Sequence, residues 1–193
     1  EDGAVDVLFL CLGHGDARKF LETQAVHPKI KIIDLSQDFR LKGDNSIGDR
    51  TFVYGLPELN RDSIVKAANI ANPGCFATAI QLGLLPLASA GLISDIYTTG
   101  ITGSTGAGQG LSATSHFTWR ANNIQAYKSL RHQHLAEIGE SLGQLQPSAS
   151  IDISFVPWRG DFTRGIFISS QLKCDWEPRD IINLYEAYYA EHP

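Results

Sequence analysis

The 193-residue sequence has no methionine, only three cysteines and only 19% charged residues. Three cysteines cannot all pair within one chain, and they are far too sparse for a disulfide scaffold, so a reducing, cytoplasmic setting is expected. No apolar run approaches the roughly 20 residues that a membrane-spanning helix needs, so no membrane partner is expected. No signal peptide is read. Basic blocks are absent and the formal net charge is −5, which argues against nucleic acid as a partner. At 43% hydrophobic residues the composition excludes intrinsic disorder and allows one large domain or two modest ones. With no methionine, the chain reads either as trimmed or as a piece of something longer.

What is present alternates between strand, turn and helix. Val5–Leu12 is nearly all apolar, as a strand buried on both faces of a parallel sheet would be. Gly13-His14-Gly15 is a turn, Asp16 reads as a helix N-cap and Ala17–Leu21 as the helix start. Ile30–Asp34, Phe52–Leu56 and Asn69–Ala71 are short strands, and Asn60–Ala68 is a short helix. Phe76–Ala90 is almost wholly apolar and predicts a buried helix, bent in its second half by Pro86. This pattern argues an α/β fold with parallel strands. The second half differs: Asp95–Gly103, Ile151–Val156 and Gly165–Lys173 are strand-like. Leu135, Ile138, Leu142 and Leu145 fall at helical spacing, and a last helix opens at Pro178.

Cys75 carries the strongest chemical signal. It follows Pro73-Gly74 and opens the long apolar helix. A helix N-terminus presents unpaired amides and about half a positive charge, a setting that favours thiolate over thiol. Cys11, mid-strand, and Cys174, at a strand end, read as structural. An activated thiol needs a base, normally histidine. His132 and His134 flank Gln133 just ahead of the amphipathic helix. No metal is expected, because positions i and i+2 of a helix do not share a face and no further ligand cluster stands out. The loop Gly103–Gly110 has four glycines whose amides suit a phosphate, yet it lacks the Gly-Lys-Ser/Thr ending of a nucleotide-hydrolysing loop.

The run Ile70-Ala-Asn-Pro-Gly-Cys-Phe-Ala-Thr-Ala-Ile-Gln-Leu-Gly-Leu-Leu-Pro86 resembles the signature of the N-acetyl-gamma-glutamyl-phosphate reductase family of arginine biosynthesis. Asp34-Leu-Ser-Gln-Asp-Phe-Arg-Leu41, Tyr54-Gly-Leu-Pro-Glu-Leu59, Gly103-Ser-Thr-Gly-Ala-Gly108, His132-Gln-His134 and Arg164-Gly-Ile166 resemble the family in the same order. The resemblance implies an α/β chain in two parts. Residues 1–75 would be part of a Rossmann-like NAD(P)-binding domain without its glycine turn, and residues 76–193 an α+β catalytic and dimerisation domain of the semialdehyde dehydrogenase type without its C-terminal return segment. It implies NADP as cofactor, an acyl phosphate and inorganic phosphate as small-molecule partners, and a homo-oligomer. Cys75 would form a thioester from an N-acyl-gamma-glutamyl phosphate, and reduction would release the semialdehyde.

Site residues follow by the same resemblance. The acid–base role falls on His132, in a segment free to approach the sulfur. His134 stands beside it, within reach of Glu137 and suited to orienting or holding substrate. Gly13, His14, Ser104, Gly106 and Gly108 fall on the cofactor side. Arg40 is the candidate for gripping the substrate phosphate at two points. Its alternative is a surface arginine paired with Asp38. The chain departs from the family's common pattern at Gln133, Leu135 and Ala136, and at Pro157-Trp158-Arg159, where Pro-His-Leu is common. These departures bear on the N-acyl group accepted. Three other readings stay open: an aspartate-semialdehyde dehydrogenase-like enzyme, a cofactor-independent cysteine hydrolase, and a folded module without activity.

Overall fold

The computed structural model describes residues 5–108, 110–148 and 150–192. The chain divides into two compact units at the Gly74–Cys75 junction. In the first, β1 (Val7–Leu10), α1 (Asp16–Thr23), β2 (Lys31–Asp34), β3 (Ser46–Ile47), β4 (Arg50–Thr51), β5 (Val53–Tyr54), α2 (Pro57–Lys66) and β6 (Asn69–Ala71) follow one another. Strands β1, β2, β6 and β5 form a parallel sheet in that order. Leu10, Ala17, Ile32, Phe39, Phe52 and Ala71 are its buried core, with the Phe39 and Phe52 rings stacked 4.1 Å apart. Full burial of one of its Leu, Ile or Phe side chains stabilises by about 1.5–3 kcal/mol.

The first strand is not buried on both faces. Leu8 and Leu10 face the core, whereas Phe9 on the other face is 59% exposed. Asp16 is not the N-cap either. It is the first helical residue, and Gly15 takes the cap position with φ of 88°. The capping carboxylate comes from a distance: Asp38 accepts the Gly15 amide at 2.7 Å and the Arg18 amide at 3.0 Å. Long-range capping of this kind leaves no trace in local sequence. The hairpin β3–β4, turning at Gly48 with φ of 52°, was also not anticipated.

The second unit contains α3 (Cys75–Ser89), β7 (Ile96–Thr102), α4 (Phe117–Arg120), β8 (Gln125–Ala126), α5 (His134–Leu145), β9 (Ile153–Arg159), β10 (Ile166–Gln171) and α6 (Pro178–Tyr189). Its sheet is mixed, in the order β10-β7-β9-β8. Strands β7 and β9 run parallel, and the other pairs are antiparallel. Helix α3 packs on α5 and β10.

Helix α3 continues through Pro86 to Ser89. Proline has no amide hydrogen, so the carbonyl four residues back, on Leu82, loses its helical donor. The Tyr189 hydroxyl donates to that carbonyl, and the Tyr185 hydroxyl donates to its neighbour on Gly83. Burial pushes the Tyr185 phenol above its ordinary value. The last helix is thus held at the place where Pro86 disturbs α3.

Candidate active site

Cys75 is the first residue of α3 and is exposed, while Phe76 beside it is buried. The chain reaches it from β6 through Asn72-Pro73-Gly74. Arg40 holds that approach. It is 7% exposed, and its Nε donates to the Asn72 carbonyl at 2.8 Å and its Nη2 to the Leu35 carbonyl at 3.0 Å. Asn72 in turn donates its amide to the Asp34 carbonyl at 2.8 Å. Arg40 is therefore buried rather than a surface residue. Two of its nitrogens tie the ends of β2 and β6 together.

His132 is buried, 5% exposed, and caged by rings. Phe76 lies 5.7 Å away, Phe155 5.6 Å, Tyr127 5.8 Å and His134 4.5 Å, between centroids. The expected freedom of its segment is absent, because packing against Phe76 and Phe155 fixes the ring. His132 precedes α5 while His134 opens it, so the two rings meet although a helix would separate them. Burial, followed by the neighbouring His134 and Lys128, pulls the His132 pKa down from 6.5 to about 4, against a smaller upward pull from Glu137. The ring is neutral at pH 7. Its Nδ1 accepts the His134 amide at 3.3 Å, so the single proton belongs on Nε2. A neutral ring with Nε2–H donates; it suits a developing oxyanion better than it suits taking the thiol proton. His134 Nε2 stands 3.9 Å from Glu137 Oε1, the pairing that the spacing anticipated.

The glycine loop is built differently from a phosphate cradle. Ser104 donates its amide to Phe162 and its hydroxyl to Gly160, both at 2.8 Å. The amides of Thr105, Gly106 and Gly108 go to the carbonyls of Thr163, Gly103 and Thr105. These amides are already occupied. Close packing accounts for Gly106, since a Cβ there would lie 2.8 Å from Thr102 Oγ1. Gly108, at φ of +79°, opens onto free space and borders a hollow of about 660 Å³ with Leu111, His116 and Trp119. Gln109 of the loop lies outside the described residues. In the first unit, Gly13 follows the carboxyl end of β1, and Asp16 Oδ2 sits 2.8 Å from where its Cβ would be. His14 is exposed, and its Nδ1 accepts the Gln37 amide at 3.2 Å.

Sequence models describe the two units separately. The semialdehyde dehydrogenase NAD binding domain matches residues 1–67, and the semialdehyde dehydrogenase dimerisation domain matches residues 75–193. The chain belongs to the semialdehyde dehydrogenase family. It is similar to the N-acetyl-gamma-glutamyl-phosphate reductase of Phocaeicola vulgatus, 54% identical over 97% of this chain and 57% of that protein. The Parabacteroides distasonis reductase is 53% identical over 98% of this chain and 58% of its own length. The chain thus spans a little over half the length of these relatives. Among solved structures, aspartate semialdehyde dehydrogenase II from Vibrio cholerae has a TM-score of 0.70 at 17% identity, covering 95% of this chain and 60% of that one. The Candida albicans enzyme with NADP has a TM-score of 0.61 at 17% identity, covering 93% and 54%. The fold is the α/β semialdehyde dehydrogenase type.

Within this family fold, Cys11 and Cys174 are corrected from buried structural residues to exposed ones. Each stands just past a strand end, beyond the packed part of its sheet. Two residues of the His132 cluster were not assigned a site role from sequence. Tyr127 gave no local signal. Arg159 stood out only as a departure from the family pattern, although the alternation from Phe155 through Pro157 carries it to the same sheet face.

Proposed function

We propose that the full-length protein reduces an N-acyl-gamma-glutamyl phosphate to the corresponding semialdehyde with NADPH. The observation that carries this reading is the exposed Cys75 at the first position of α3, with the His132 ring against the neighbouring Phe76. Identity of 54% to a reductase named for this substrate supports it. The Cys75 sulfur attacks the acyl carbon, and His132 Nε2–H donates to the oxygen as negative charge develops there. Phosphate leaves, and a thioester remains on Cys75. The cofactor, when bound, supplies hydride to the thioester carbon. The His132 Nε2–H again donates to the negatively charged oxygen, whose charge collapses into the aldehyde carbonyl as the carbon–sulfur bond breaks and Cys75 leaves as thiolate. His134, set by Glu137, orients the His132 ring through its amide.

In the first unit, taken by itself, Gly13 and the exposed His14 past the carboxyl end of β1 are the candidates for cofactor contact, and in the second unit, taken by itself, the candidate is Gly108, whose surroundings are open. Ser104 and Gly106 act indirectly, by holding the loop. We assign nucleotide binding to the first unit, with its parallel sheet, and catalysis to the second. Self-association on the uncovered sheet face of the second unit, where Tyr97 is 60% and Phe167 63% exposed, fits the name of the matching dimerisation domain. No helix among the described residues is long and apolar enough to cross a membrane.

The test is phosphate-dependent oxidation of an N-acyl-glutamate semialdehyde with NADP by the full-length protein, with intact-mass detection of an acyl group on Cys75. Preference for aspartate semialdehyde, or ester cleavage without cofactor, would replace this reading.

A further inference from the structure

Along β9, Phe155, Pro157 and Arg159 alternate onto one face, and their register partners on β7 are Thr98, Gly100 and Thr102. Phe155, Pro157, Thr98, Gly100 and Thr102 are all buried. This is the face that carries the start of α3. A Cβ on Gly100 would lie 2.6 Å from the Phe76 ring, so that ring rests on Gly100, level with Pro157. Arg159 is the next step along the same face.

The Arg159 guanidinium carbon lies 4.6 Å from the centre of the Tyr127 ring, and Tyr127 in turn packs on His132. Burial raises the Tyr127 phenol; the charge of Arg159 and a side-chain hydrogen bond with it oppose the rise, and the nearby Cys75 adds to it. Tyr127 therefore senses both groups. The Nε of Arg159 is buried and has no hydrogen-bond partner. A buried guanidinium nitrogen without an acceptor is costly and calls for one.

From this juxtaposition we propose that Arg159 is a substrate-binding residue, which grips an oxyanion of the substrate beside Cys75. The proposal rests on the reaction inferred above and gives one of its substrate's charged groups a partner. A planar fork resting on an aromatic face suits two-point recognition of a carboxylate or a phosphate. Either source is available in that reaction, the glutamyl carboxylate or the phosphoryl group.

The experiment uses the full-length enzyme with Arg159→Leu and Arg159→Lys, assayed as aldehyde oxidation with inorganic phosphate. Loss of a charged two-point contact predicts a KM increase of about 10- to 100-fold, with kcat within about threefold. An increase confined to the aldehyde assigns the carboxylate, and one confined to inorganic phosphate assigns the phosphoryl group. Arg159→Lys should fall between wild type and Arg159→Leu. A second measurement is independent of turnover. Inorganic phosphate or N-acetylglutamate should slow iodoacetamide labelling of Cys75 in wild type, and Arg159→Leu should remove that protection for one of them. If wild type lacks the reaction but the protection pattern holds, the reaction proposed above fails and the anion site stands. KM values within twofold of wild type for both substrates, or protection unchanged in Arg159→Leu, would overturn the assignment. A variant that only loosens packing would lower Tm and kcat without a selective change in KM.

Discussion

Three helices in this chain begin just after a parallel strand, and two of them, α1 and α3, begin in contrasting ways. At α1 the protein's own Asp38 accepts two amides of the first turn. At α3 the first position holds an exposed thiol, and a buried histidine packs behind the next residue. The same local arrangement, strand then turn then helix, is closed by a carboxylate in one unit and left with an exposed thiol in the other. A helix start is thus an electrostatic resource, and the surrounding residues decide its use.

The contrast breaks most sharply at Cys75. Cys75→Ala in the full-length enzyme should lower phosphate-dependent aldehyde oxidation by about 10⁴-fold or more, with Tm close to wild type. Activity within tenfold would mean that the thiol is as incidental as those of Cys11 and Cys174.

His132 comes next in size. The folded protein keeps it neutral down to about pH 4, whereas the unfolded chain protonates it near 6.5. Unfolding therefore takes up a proton between those values. The stability is fully present above pH 6.5 and is lost as pH falls toward 4, by about 3 kcal/mol at most. Urea unfolding from pH 4 to 7 measures this, and His132→Gln should flatten that slope. The same variant should lower kcat by about 100-fold. An unchanged slope would remove the neutral ring from the mechanism.

At α1 the expected effect is on stability alone. Asp38→Ala should cost about 1–2 kcal/mol in urea unfolding of the first unit, through loss of the cap. An unchanged midpoint would show that water serves the Gly15 and Arg18 amides equally well.

The smallest effect belongs to the far part of α3. Tyr189→Phe should cost about 1 kcal/mol by leaving the Leu82 carbonyl without its donor. In Pro86→Ala, a restored amide supplies that donor, so the cost of Tyr189→Phe should shrink. A double-mutant cycle with no coupling would separate the tyrosine from the proline.

Much of this was legible in sequence wherever the cause is local. Pro73-Gly74-Cys75 ahead of an apolar run marked the start of α3, and Leu135, Ile138 and Leu142 marked α5. His134 and Glu137 met as their spacing required. Other features depend on partners far along the chain. Arg40 serves the Asn72 carbonyl 32 residues away, and Asp38 serves Gly15 across 23. His132 is immobilised by rings from α3 and β9, so its own segment reads as open. The amides of the glycine loop are taken by residues near Thr163, and no pattern between Gly103 and Gly110 announces that. Composition suggested a cradle, but hydrogen-bond accounting over the folded chain identifies a buttressed turn.

Gly100 carries one further consequence. Phe76, Phe155 and Ile168 all converge on the space its missing side chain leaves, so the residue next to the reactive sulfur is clamped by a strand rather than by a loop. In the proposed reaction a clamped sulfur does not adapt to its substrate; the substrate must be brought to it. In that reaction, adaptation then falls to Arg159 and to the stretch between Gly103 and Arg131, where the only α-helix is one turn long and the only strand has two residues among those described. Changes there can reshape what arrives without disturbing where it reacts.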